Sequence, residues 1–121
     1  MGAIHIRHGD NVGWEENRTG DAGGPTRWGI RTKPYFDPAE VGVLLRLVEY
    51  APGYTAEAHS HAAPEIVYIL DGEITIGEQR LGAGDAYHIE PNTVYGPLRA
   101  GPEGARFVLL FTGVPGMTPA S

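Results

Sequence analysis

His59, His61 and Glu65 lie between Gly53 and Gly72 at spacings that suit a metal site built on β-structure. Alternate residues of a strand face one side, with Cα atoms roughly 6.5 Å apart, so the two imidazoles can aim at a common point. Glu65, a few residues on, can close a third corner. Two neutral imidazoles and one carboxylate with positions left open form the facial set associated with Fe(II), and Mn, Ni, Zn and Cu accept the same donors. The donors imply a divalent metal without selecting one; Fe(II) is favoured for dioxygenase-type chemistry. The chain has no cysteine, which excludes thiolate sites and a disulfide framework.

These side chains need short strands to carry them. Gly (18) and Pro (10) are spread throughout the 121 residues, which favours strands separated by turns over helices. Strands are expected at Ile4–Arg7, along Thr26–Thr32, and at Val41–Tyr50, with a Gly-rich irregular stretch from Gly9 to Pro25. Lys33–Glu40, with two prolines, reads as a connection with a single turn at Pro38–Glu40. Further strands are expected at Thr55–His59, Glu65–Leu70, Glu73–Ile76, Gln79–Leu81, Ala86–Ile89, Thr93–Pro97 and Arg106–Phe111. Asp71-Gly72 carries a hairpin signal, and Asp85 after Gly84 reads as a turn cap. This is an all-β sandwich or barrel in one domain. Its parts are an arm with leading strands at 1–40, a core barrel at 41–112 and a tail at 113–121.

Lys plus Arg number 9 against 15 Asp plus Glu, a net charge of −6 with no basic run, so a nucleic-acid backbone would be repelled. No apolar run approaches the roughly 18 residues needed to span a bilayer, and the N-terminus lacks the apolar core of a secretion signal. A cytoplasmic protein is expected. Three strands, at Val43–Leu45, Ile66–Leu70 and Phe107–Phe111, are apolar on both faces. One small barrel has only one interior, so the outer apolar face must be covered, and a homodimer is expected.

Gly53, His59, His61, Glu65 and Gly72 fill all five fixed positions of G-x5-H-x-H-x3-E-x6-G, and on them residues 41–111 resemble the cupin family. The second cupin motif, G-x5-P-x-G-x2-H-x3-N, is matched poorly. Aligned from Gly84, its proline falls on Glu90, its glycine on Asn92, its histidine on Tyr95 and its asparagine on Arg99. The resemblance implies a double-stranded β-helix, the jelly-roll cupin barrel, with the metal inside and ligands from both motifs. Tyr95 then stands where the family has a metal-binding histidine. Three roles are open to it: a fourth ligand as phenolate, an unbound proton donor or base beside a three-ligand metal, or a remnant of a site without metal.

Among the other histidines, His5 and His8 read as ordinary surface or core residues, whereas His88 has a catalytic claim if its strand face turns inward. Arg46 interrupts an apolar strand, and it reaches either a solvent edge or the cavity, where it would anchor a substrate carboxylate. Trp14 and Trp28 read as packing residues of the arm. The expected partner is a small, partly apolar molecule with an oxygen able to chelate. The family resemblance implies a metal-dependent enzyme, dioxygenase-type in the first reading. A non-redox isomerase, lyase or cyclase using Tyr95 as acid or base is the alternative, and a binding module without turnover is the third class.

Overall fold

The computed structural model describes residues 2–17 and 29–119, so Trp28 and part of the strand expected at Thr26–Thr32 lie outside the described residues. Ten strands are described: β1 (Glu15–Asn17), β2 (Ile30–Phe36), β3 (Leu44–Tyr50), β4 (Thr55–Ala56), β5 (His59–His61), β6 (Glu65–Ile76), β7 (Gln79–Gly82), β8 (Ala86–Ile89), β9 (Leu98–Phe111) and β10 (Met117–Pro119). Eight form one antiparallel sheet ordered β1-β2-β3-β9-β6-β7, with β4 on β9 and β8 on β6, while β10 and β5 pair separately. The sheet curls into a jelly-roll barrel.

Period-two alternation sets its two faces. On β6, Glu65, Val67 and Ile69 are buried, whereas Ile66, Tyr68 and Leu70 are exposed. On β9, Phe107 and Phe111 point inward, and on β3 Leu44 and Val48 do. These residues, with Ile74, Tyr95 and Leu98, form the buried apolar core. The outward alternates on β6 confirm that the strand is apolar on both faces.

Several boundaries differ from the sequence expectation. Asp71-Gly72 makes no hairpin: β6 runs through it from Glu65 to Ile76, with register shifts on either side of the pair. Gly72 takes a left-handed φ of +79°, and a Cβ there would collide with the carbonyl oxygen of Gly104 on β9, so the glycine serves a close backbone approach within the sheet. The chain reverses instead after Ile76, where Gly77 has φ +56° and Ile76 pairs with Gln79. Ile4–Arg7 is not a strand. Within the supposed irregular stretch, β1 pairs with β2, and β2 continues through Lys33 and Pro34 with a register shift between Pro34 and Phe36.

A short helix, α1 (Pro38–Val41), ends at Gly42 in the left-handed conformation, which delays β3 to Leu44. Of the strand expected at Thr93–Pro97, only a bridge at Tyr95 forms. The tail at 113–121 contains β10. As expected, Asp85 caps its turn, its Oδ2 accepting from the Gly82 N–H at 2.8 Å.

Candidate functional site

β5 is held from both sides. Its His59 exchanges both backbone hydrogen bonds with Tyr95, at 3.1 and 2.9 Å, while the Asn92 N–H donates to the His61 carbonyl at 2.7 Å. On the other edge β10 pairs with β5 in register, Met117 opposite His61 and Pro119 opposite His59. Directly paired antiparallel residues share a face, so the Tyr95 phenol is delivered beside the His59 ring, with centroids 4.7 Å apart. The His59 and His61 rings are 4.8 Å apart and perpendicular, and His61 packs on Phe111 at 4.9 Å. Glu65 opens β6 opposite Phe111 and Ile89 and is only 5 % exposed.

Both imidazoles have an assigned proton. Nδ1 of His59 lies 2.7 Å from the Glu57 carbonyl and Nδ1 of His61 lies 3.1 Å from the Gly116 carbonyl. A carbonyl only accepts, so each Nδ1 donates and each Nε2 presents a lone pair. An imidazole fixed through its outer nitrogen by a backbone carbonyl is the arrangement of a metal-ligating histidine. The Tyr95 hydroxyl donates its one proton to Glu65 Oε1 at 2.5 Å. It therefore meets His59 Nε2, 3.1 Å away, lone pair to lone pair. Such a contact calls for a second proton or a cation.

Among the described residues, no three His, Asp or Glu side chains are grouped so as to hold an ion by themselves. The convergence includes the phenol, which lies between His59 and Glu65. Metal–ligand bonds of roughly 2.0–2.2 Å put adjacent donors about 3 to 3.5 Å apart, which the His59–Tyr95 separation meets. The Tyr95–Glu65 pair would open by a few tenths of an ångström. In chemistry and tautomer His59, His61 and Glu65 fit a divalent cation, and the Tyr95 hydroxyl lies where it could join them or stand beside the ion.

Burial dominates the electrostatics. It lowers the His61 pKa, reinforced by His59 and opposed by the bond to Gly116, so the neutral ligand form is favoured. Burial raises the Glu65 pKa above the usual carboxylate range, against the Tyr95 hydrogen bond and His59. It also raises the Tyr95 pKa far above an ordinary phenol, reinforced by Glu65, so without a cation the hydroxyl keeps its proton.

These groups open on a cavity of about 770 Å³, walled by Val48, Tyr50, Tyr54, Leu98, Phe107, Leu109 and Phe111 and bearing Arg46. Arg46 therefore reaches the cavity rather than only a solvent edge. His88 does not: it is exposed on β8 opposite exposed Ile66, and its strand turns the partly buried Tyr87 inward instead. The condition on its catalytic claim is not met. His5 and His8 are exposed, and Trp14 stacks under the Arg31 guanidinium at 4.4 Å as part of the arm.

The cupin-domain family model matches residues 46–111, more than half of the chain. The chain belongs to the cupin family. No curated protein sequence matches it. Among solved structures it is similar to the polyketide cyclase RemF from Streptomyces resistomycificus, at TM-score 0.76 and 19% identity over 98% of this chain and 87% of that one. It is also similar to a putative acetylacetone dioxygenase from Methylibium petroleiphilum, at TM-score 0.71 and 19% identity over 100% and 86%. KdgF from Halomonas sp. aligns at TM-score 0.68 and 22% identity over 94% of each chain. At these identities the likeness establishes the fold.

The family comparison explains one departure in the second motif. Asn92, at the motif's glycine, has φ +60°, a left-handed conformation that asparagine tolerates better than other residues with a side chain. The turn that delivers Tyr95 is thus kept without the glycine. What sequence reasoning missed is the tail: Gly116 fixes the His61 tautomer, and β10 braces β5. Pro115 and Gly116 just before an extended run were the available signal.

Proposed function

We propose that this cupin is a metal-dependent enzyme acting on a small oxygen-bearing organic molecule, with proton transfer at Tyr95 as the step its own residues perform. The observation that carries this reading is the position of the Tyr95 hydroxyl, between a histidine lone pair and a buried carboxyl on the cavity wall. His59, His61 and Glu65 would hold a divalent cation, with the Tyr95 hydroxyl beside it. When bound, such an ion supplies Lewis-acid polarisation of a substrate oxygen. Tyr95 holds a proton at Oη against Glu65 Oε1 and delivers it to, or recovers it from, a substrate oxygen within hydrogen-bond reach. The apolar wall excludes water and orients the remainder of the molecule. An isomerase, lyase or cyclase reaction fits this inventory, and the cyclase among its fold neighbours is consistent with it.

A dioxygenase is the second reading, favoured by the His59–His61–Glu65 donor types, which suit Fe(II), and by the acetylacetone dioxygenases among the fold neighbours. Elemental analysis of protein purified without chelator, combined with oxygen consumption, separates the two. Zinc or nickel without oxygen uptake supports proton transfer, iron with substrate-dependent uptake supports oxygenation, and no metal in protein expressed in supplemented medium overturns both.

The exposed Ile66, Tyr68 and Leu70 row supports a homodimer as the working assembly. A monomer mass in solution would remove that part of the proposal. Among the described residues no helix is long and apolar enough to cross a membrane.

A further inference from the structure

Arg46 is the only arginine or lysine among the described residues that line the cavity. It shares the inward row of β3 with Leu44 and Val48 and pairs across the sheet with Leu109, which in turn pairs with Val67 on β6. Glu65 lies two residues further along β6. Two strand spacings and two residue rises put the Cα atoms of Arg46 and Glu65 roughly 12 Å apart along the sheet. The guanidinium and the Tyr95–His59–Glu65 cluster therefore face one cavity from separate stations.

The guanidinium is under-used by the protein. Its Nε is buried without a hydrogen-bond partner. Among the described residues its one ion pair is to Asp37 Oδ1 at 3.8 Å, beyond hydrogen-bond length, and Asp37 is half exposed. Arginines that hold a fold together look different here: Arg106 grips Glu49 through both Nε and Nη at 3.1 and 2.6 Å. The buried Nε is closed to a ligand, so a carboxylate would be met by the Nη groups of this side chain, which is 34 % exposed.

We infer that Arg46 anchors a carboxylate on the substrate, so that the substrate is a small organic acid whose chelating oxygen lies at the far end from its acid group. This rests on the proposed function for the location of the chelating end. The acid group is a second point of attachment, distinct from the group at the Tyr95 cluster. It fixes which end of the molecule reaches Tyr95. Recognition of an anion runs against the field of the chain, whose net charge is −6, so the preference has to come from a local contact.

The test titrates 3,4-dihydroxybenzoate and its neutral isostere 3,4-dihydroxybenzamide calorimetrically into chelator-treated and into Zn(II)-loaded protein. Both carry the same chelating head, so their affinity ratio isolates the acid group, whereas the gain on zinc loading isolates the metal. Wild-type protein should favour the acid by roughly tenfold or more in both forms, as expected for a charge-assisted pair. Arg46→Gln should bring the ratio to about one while leaving the amide affinity unchanged, Arg46→Lys should retain part of it, and Asp37→Asn should raise it. Asp37 is a safe site for this, since its side chain makes no capping bond to α1. A ratio near or below one in wild-type protein, an unchanged ratio in Arg46→Gln, or no binding of either compound in either form overturns the inference. A preserved acid preference with no gain from zinc would instead overturn the metal reading and leave Arg46 standing.

Discussion

Glu49 and Glu65 are both buried carboxyls, 8 % and 5 % exposed, on the two strands that flank β9, yet they are partnered in opposite ways. Glu49 faces out from β3 and is covered by two arginines, one on each oxygen: Arg31 on Oε2 at 2.8 and 2.9 Å, and Arg106 on Oε1 at 2.6 and 3.1 Å. Its charge is neutralised twice. Glu65 faces in from β6 and is met by a single phenol, with no arginine or lysine among the described residues paired to it. A carboxyl paid for by cations belongs to the scaffold, whereas one left to a neutral donor beside two imidazole lone pairs is suited to receive a cation or a proton. Burial alone does not distinguish a structural from a functional acid; the charge of its partners does.

If that contrast is right, the two glutamates fail in different assays. Glu65→Gln should cut divalent-metal affinity on the order of a hundredfold, at least matching the loss usual for removing a supporting group, as read by competition with a chromogenic chelator. Its melting temperature in chelator should stay level or rise, because the neutral amide avoids the desolvation that raises the Glu65 pKa. Glu49→Gln should leave metal affinity intact and destabilise the fold by about 1–2 kcal/mol in urea unfolding. That is less than the loss for a fully buried pair, because the arginines are 29% and 46% exposed and solvent screens them. Exchange of the two outcomes would break the comparison.

Tyr95→Phe sharpens it on the functional side. The ring, 8% exposed, is kept in the core, and only the hydroxyl to Glu65 is lost, so stability should fall by about 1 kcal/mol. Metal affinity is the decisive reading. Unchanged affinity makes Tyr95 a proton carrier beside a three-ligand ion, and a loss of tenfold or more makes it a ligand.

The same contrast explains what was legible in the chain. His59, His61 and Glu65 were readable because their donors sit on one short stretch, at intervals fixed by strand geometry, and the barrel followed from alternation on β3, β6 and β9. Asp71-Gly72 misled because a glycine needed for a close approach to Gly104 has the same spelling as one needed for a hairpin; only the partner strand distinguishes them. Arg46 and Glu49 are three residues apart on a strand, so alternation says they face opposite ways but not which one is inward. That choice is made by the pairing of β3 with β9, a contact remote in sequence. The role of Gly116 in fixing His61 was invisible for the same reason, since the two lie 55 residues apart.

The smallest expected effect falls on His88, and it tests whether orientation rather than residue type defines the site. His88 is a histidine on the strand adjoining Glu65, directly across from Ile66, so by type and proximity it rivals His59 and His61. Its side chain nevertheless emerges on the exposed face with Ile66, and the sheet backbone separates it from the cavity. His88→Ala should leave metal affinity unchanged and alter stability by no more than about 0.5 kcal/mol, the usual range for a surface substitution. His61→Ala, measured alongside, should lose metal as Glu65→Gln does, because its Nε2 lone pair is held toward the cavity by the bond from Nδ1 to Gly116. Two histidines near Glu65, one facing the cavity from β5 and one facing solvent from β8, would then differ by the whole of what His61 contributes to metal binding.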